Sequence, residues 1–368
     1  MNKYISKNLI VTSLLHLFVD FLCAGGLVLT LRLPYSDTSF AYVFLVYNLL
    51  AFLLQPLFGI IVDHLKDENK RKKHIALLLL SSGLVMIGWC LTIFQMLGSV
   101  KLLPLVFISS IFFGIGNALF HVVGGKEALT MSSKATPGGI FVSFGALGIG
   151  FATIINSSPF MELIYLIFAP AMLIALSYMH LGTARNNPEL AYEERKNKSM
   201  GIFSLIVILL LLAVSIRSFL GFYTKMSDGI STWQAILLLS VAAFFGKAIG
   251  GIILDLVGPY VLIGISGVIS IVCSIFLNIP FVDYIFVLSF NMLMPLTLDA
   301  LRKVFPNKEG FSFGLCAAFL IPGYLIGGAL KQYGNQQIVI PVICLLTGLM
   351  LVGVYILEDK VINVKRDK

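Results

Sequence analysis

Twelve apolar runs begin near residues 9, 40, 75, 102, 139, 160, 201, 233, 259, 281, 311 and 337, and they leave this chain little polar surface. About 20 helical residues cross a bilayer core about 30 Å thick, and each run is close to that length. Backbone facing lipid must satisfy its own hydrogen bonds, so the runs are predicted to be helices. The short alternating segments of a membrane barrel are missing. Charged residues make up 12% of the chain and hydrophobic ones 58%, whereas a soluble protein has about a quarter of its residues charged. The fold class predicted is an all-α membrane protein with twelve transmembrane helices. The first run is read as a retained helix: Asp20 interrupts the core that a cleavable signal would need.

Charge placement sets the orientation. Of the 26 Lys and Arg, 20 lie in 1–8, 63–74, 124–135, 181–199, 302–310 and 358–368. Arg32, Lys101, Lys225 and Lys331 fall between runs on the other side, and Arg217 and Lys247 fall inside runs. Cytoplasmic loops carry the excess of cations. Both termini are therefore expected in the cytoplasm, with the chain in the inner (cytoplasmic) membrane. The net charge of +8 reports topology, and no nucleic-acid partner is expected. The five cysteines lie in apolar runs without a CxxC pair and read as packing residues. Neither a phosphate-binding loop nor a catalytic motif is present. An enzyme, a cofactor and a metal site are not expected.

The stretch 181–199 is the only long polar segment between runs, and it has enough charge for a surface helix. It divides the chain into a six-helix half (1–180), a cytoplasmic linker (181–199) and a second six-helix half with a short tail (200–368). An internal repeat supports the division. Gly59 and Asp63 close the second run as Gly-x-x-x-Asp, and Gly251 and Asp255 repeat the pattern 192 residues later. Ser143-Phe144-Gly145 is echoed by Ser312-Phe313-Gly314, 169 residues later. A carboxylate at a helix C-terminus opposes the helix dipole. Asp63 and Asp255 are therefore each expected to be held by a partner, a Lys or Arg across the boundary between the halves.

The 6+6 plan, the central loop and Gly-x-x-x-Asp followed by Lys66, Lys70, Arg71, Lys72 and Lys73 resemble the major facilitator superfamily of secondary transporters. The resemblance covers essentially the whole chain. It implies two pseudo-symmetric six-helix bundles that move a small organic solute by alternating access, driven by a proton or other coupling ion. His16 and Asp20 in the first run, Phe120-His121 with Gly124 in the fourth, and Arg217-Ser218 in the seventh look like its fosmidomycin-resistance branch. Members of that branch are drug-efflux proteins, which implies proton-coupled efflux. The chain departs from the branch at Val122-Val123, where a Pro-Glu pair is usual, and its fifth run lacks the Gly-Pro step of antiporters.

A charge at the membrane centre costs about 2.5–3.5 kcal/mol, so such residues usually face a cavity. Asp20, four residues after His16 on one helix face, reads either as a proton carrier tuned by His16 or as a structural pair. Ser110, Gly114, Asn117, His121 and Gly124 form a stripe on the fourth run. Its glycines suit close helix contact, and Asn117 and His121 suit a cavity lining. Arg217 reads as an anion contact, as a counter-ion for Asp20, or as a snorkelling residue. Asn291 is placed on the solute path, one turn before Pro295, which is predicted to kink its helix. Gly59, Asp63, Arg71, Lys247, Gly251 and Asp255 form the expected gate, latched by the loop 63–73. The expected partners are a small-molecule solute, a proton or other coupling ion and the lipid bilayer, with the chain a monomer. Two other readings share the scaffold: a receptor or assembly factor that does not transport, and a uniporter indifferent to the proton gradient.

Overall fold

Each apolar run forms a helix in the computed structural model, which describes residues 6–65, 70–98, 101–183, 200–224, 232–277, 279 and 281–361. The helices are α1 (Lys7–Thr30), α2 (Asp37–Asp63), α3 (Arg71–Leu97), α4 (Leu103–Thr130), α5 (Thr136–Ser157) and α6 (Pro159–Gly182) in the first half. In the second half they are α7 (Met200–Tyr223), α8 (Trp233–Val257), α9 (Pro259–Ile275), α10 (Val282–Val304), α11 (Glu309–Leu330) and α12 (Gln336–Glu358). Eleven are long and apolar enough to cross a membrane, and α9, with 17 residues, is the short one. The chain is a multi-pass membrane protein. The surface helix expected in the linker, and Lys66 of the cation cluster, lie outside the described residues.

Burial separates inner from outer helices. Along its most apolar stretch α1 is 83% buried, against 22% for α2 and α8. Leu97, Tyr178, Met200 and Leu256 point outward and are the surface expected against lipid. Three helices are interrupted just before a proline: α2 at Leu54 before Pro56, α10 at Met292 before Pro295, and α11 at Phe319 before Pro322. Proline lacks the N–H its turn needs and clashes with the carbonyl four residues back. In α11 the Ser215 hydroxyl of α7 donates to the Phe319 carbonyl at 2.7 Å.

The two halves meet along two seams, α2 against α11 and α5 against α8, where glycines allow backbone contact. A Cβ on Gly59 would lie 2.6 Å from the Phe311 Cα, and one on Gly251 would lie 3.2 Å from the Thr136 Cα. The seams also correct the repeat. Gly139 packs against Gly251 and the Lys247 carbonyl, as Gly314 packs against Gln55. Residue 139 thus matches 314, an offset of 175. The Ser-Phe-Gly echo at 169 is out of register and marks no equivalent positions.

Candidate functional site

Asp63 ends α2, but its carboxylate belongs to the other half. Its Oδ1 accepts from the Gly310 N–H at 3.0 Å and its Oδ2 from the Phe311 N–H at 2.8 Å, in the first turn of α11. Asp255, at the end of α8, does the same for α5. It accepts from Ala135 N–H at 2.9 Å, from Thr136 N–H at 2.8 Å and from the Thr136 hydroxyl at 2.5 Å. Neither receiving helix has a side-chain cap of its own. A carboxylate at a helix N-terminus satisfies orphan N–H groups and suits the dipole. The expected cross-boundary Lys or Arg is therefore replaced by a helix N-terminus, because backbone donors can neutralise the carboxylate as a cation would. Lys126, from the same half, joins Asp63 at 2.8 Å and donates to the Val62 carbonyl at 3.0 Å.

Arg71 does not reach across. Its guanidinium meets the Leu181 carbonyl of its own half at 3.5 Å. A cation that does cross at this end is Arg302 on α10, only 1% exposed. It donates to the carbonyls of Leu129 at 2.9 Å and of Ser132 and Ser133 at 2.7 Å, and it pairs with Asp299. Asp299 also takes Lys303, at 2.7 Å. Sequence reading had treated Lys126 and Arg302 only as orientation charges. The signal was available as Asp299-x-x-Arg302-Lys303, an acid one turn before two cations at the end of an apolar helix. These links all lie at the basic end of the bundle.

The second cluster lies deeper, between α1 and α4. Helical spacing brings His16 Nε2 within 3.3 Å of the Asp20 carboxylate, and α4 adds His121 Nε2 at 3.6 Å from it. The Asn117 amide donates to Asp20 at 2.7 Å. The Phe141 ring stacks on His16 at 4.4 Å, and Phe313 of the other half stands 6.3 Å from His121. His16 Nδ1 faces the Phe141 carbonyl at 2.8 Å, and His121 Nδ1 faces the Asn117 carbonyl at 2.9 Å. A carbonyl can only accept, so both Nδ1 atoms carry hydrogen. Two neutral rings would then point bare lone pairs at each other, because the Nε2 atoms are only 2.8 Å apart. A proton held between them would relieve that opposition and place a cation beside Asp20. These three residues also bring ligand-type atoms within 4.8 Å of one another. Two nitrogens on a tetrahedral zinc, with bonds of 2.0–2.1 Å, would stand about 3.3 Å apart. The 2.8 Å between the two Nε2 atoms is shorter than a tetrahedral zinc would set.

The other candidates fall around this centre. Arg217 is buried rather than snorkelling, and it donates to the Thr297 hydroxyl on α10 at 3.4 Å. It makes no ion pair with Asp20, which is served from its own half. Lys247 has its backbone in the α5–α8 seam, while its amine points at the Val142 carbonyl, 3.5 Å away. That amine lies within electrostatic reach of Arg217, Asp20 and His121. Asn291 is not brought to the cluster. Its amide donates to the Val287 carbonyl of its own helix at 2.8 Å, and its side chain packs beside Gly246. Glu127 is buried. It accepts from Asn8 at 2.5 Å and lies 3.4 Å from His180, tying α1, α4 and α6 together.

No protein-family model and no curated protein sequence matches this chain. Solved structures do. The major facilitator superfamily transporter FucP in its outward conformation superposes with a TM-score of 0.63 at 12% identity, over 97% of this chain and 99% of FucP. A variant of the E. coli fucose:proton symporter FucP gives 0.59 at 14% identity, over 95% of this chain and 98% of the other. A bacterial homologue of the iron transporter ferroportin, outward-facing and soaked with iron, gives 0.61 at 14%, over 95% and 99%. At such identities the likeness carries the fold alone, and that fold is the one shared by major facilitator superfamily transporters.

Proposed function

We propose that this chain is a secondary active transporter that moves a small organic solute by alternating access, coupled to protons. The carrying observation is the pair of exchanged caps. Asp63 and Asp255 close the basic end with hydrogen bonds to helix N-termini. Water can replace such bonds at about 1 kcal/mol each, so the gate is reversible. The excess of cations assigns that end to the cytoplasm, with the chain in the inner membrane. In this state the cytoplasmic side is shut and the centre serves the outside. When the halves rock about the centre, both caps break together.

The shared proton of His16 and His121 is the coupling device. Asp20 stabilises the bridged cation, Asn117 orients Asp20, and the Phe141 and Phe313 rings limit water around the pair. Losing the proton leaves two lone pairs facing each other at hydrogen-bond distance. The rings must then part, which ties protonation to the packing of α1 on α4. FucP, a fucose:proton symporter on the same fold, supports this reading. Export is the direction implied by the resemblance of α1 and α4 to the drug-efflux branch.

The test is proton flux in proteoliposomes holding a pH-sensitive dye, with a solute panel added under imposed pH gradients. The expected result is solute-dependent proton movement that Asp20→Asn abolishes. Solute movement indifferent to the gradient would establish the uniporter instead. Solute binding without movement would establish the receptor.

A further inference from the structure

Buried cations near the ends of these helices have carboxylate partners: Lys126 has Asp63, and Arg302 has Asp299, which the exposed Lys303 also meets. At the centre the pattern fails. Among the described residues no carboxylate lies within 4 Å of Arg217 or Lys247. Arg217, 9% exposed, has a Thr297 hydroxyl at 3.4 Å and the Cys316 thiol beside it. Lys247 has one carbonyl at 3.5 Å. These are weak contacts for a guanidinium with five donors and an ammonium with three. The two cations also lie within electrostatic reach of each other. Among the described residues the acid within electrostatic reach of Lys247 is Asp20, which already faces His16 and His121. Arg217 is buried and Lys247 half-buried; uncompensated charge of one sign held away from bulk water is costly and marks a place where a ligand completes the balance.

We infer that the transported solute carries an oxyanion group, such as a carboxylate or phosphonate, and that Arg217 and Lys247 hold it between them. The inference rests on the transport reading only in calling the molecule a solute, since binding is a property of the two cations. Phe144 and Phe244 meet across the seam at 5.3 Å and are only partly buried, offering aromatic surface to an apolar body. An oxyanion on an aromatic body is therefore the first chemistry to try.

The experiment uses the full chain in lipid nanodiscs, with thermal stability as readout and benzoate, phenylphosphonate and neutral benzyl alcohol as probes. Benzoate and phenylphosphonate are expected to raise the melting temperature saturably, and benzyl alcohol to leave it unchanged. Arg217→Gln and Lys247→Gln should each weaken the anions at least tenfold, and Lys247→Arg should retain them. A ligand-free comparison guards against misfolded variants. Lys247→Met removes an unmatched charge and should raise the melting temperature, whereas Lys126→Met strands Asp63 and should lower it. An equal response to benzyl alcohol, no response to any probe, or anion binding untouched by both Gln variants would overturn the inference. So would destabilisation by Lys247→Met equal to that by Lys126→Met. Anion binding without benzoate-dependent proton flux would leave the anion site standing and defeat the transport reading.

Discussion

The carboxylates of Asp63 and Asp255, 192 residues apart in sequence, each cap the first turn of a helix in the half to which they do not belong. The exchange makes the closed end a property of both halves at once. Removing a capping side chain costs about 0.5–2 kcal/mol. Asp63→Ala and Asp255→Ala are each expected to weaken the closed state by about 1 kcal/mol, and Asp63→Ala costs more in unfolding because it also strands the buried Lys126. Asn at either position should cost less, because it still accepts a hydrogen bond. Thermal unfolding of the single and double variants checks the size, and the two effects should add to within a few tenths of a kcal/mol.

The glycines of the same motif should not respond equally. A methyl group on Gly59 would press into Phe311 backbone at 2.6 Å, whereas on Gly251 it would meet Thr136 at 3.2 Å. Overpacking typically costs 1–3 kcal/mol. Gly59→Ala is expected to cost about 2 kcal/mol in the closed state, and Gly251→Ala less than about 1 kcal/mol. Alkylation of a cysteine placed at Ser133, at the closed end, should speed up more in the first variant than in the second.

Arg302 spans three carbonyls and one carboxylate with two nitrogens, a geometry that an ammonium lacks. Breaking a buried ion pair from one side typically costs 3–5 kcal/mol. Lys303 remains to serve Asp299, so Arg302→Gln is expected to cost about 2–3 kcal/mol in thermal unfolding. Arg302→Lys should recover less than half of that loss.

The histidine bridge predicts a split between exchange and driven transport. Asp20 on α1 and Lys247 on α8 reach the pair, Cys23 on α1 and Tyr47 on α2 reach Asp20, and α5 and α11 present Phe141 and Phe313. The two rings face each other Nε2 to Nε2 at 2.8 Å. His16→Gln is expected to keep solute counterflow within a few-fold of the wild type while uphill accumulation falls at least tenfold, about 1.4 kcal/mol of coupling. Nitrogen NMR of the wild type should show one proton bridging the two Nε2 atoms at neutral pH.

Much of the fold was legible because lipid enforces it. Twelve runs of the right length became twelve helices, and the proline interruptions of α10 and α11 fell near Pro295 and Pro322. His16 and Asp20 were paired correctly by their spacing of four. The partners of Asp63 and Asp255 were hidden because they are backbone N–H groups, which leave no mark in a sequence. The Ser-Phe-Gly echo misled because three residues can recur by chance, whereas the register is set by where glycines let two backbones meet. Lys126 and Arg302 were passed over because a cation at a helix end is the ordinary sign of orientation. Only the folded chain separates a gripping residue from a solvated one. Asn291, polar and inside a helix, donates to the carbonyl one turn back, a bond that leaves no mark in the sequence.

Two interchangeable states of one gate are the core of this account. The direct measurement is the spin-label distance between Ile61 on α2 and Leu256 on α8, both exposed at the basic end, in a cysteine-free background. Wild type should give one short distance, and Asp63→Ala with Asp255→Ala should add a longer population. Losing two caps at about 1 kcal/mol each shifts the equilibrium about thirtyfold. A single unchanged distance in the folded double variant would contradict the gate, and with it the alternating-access reading.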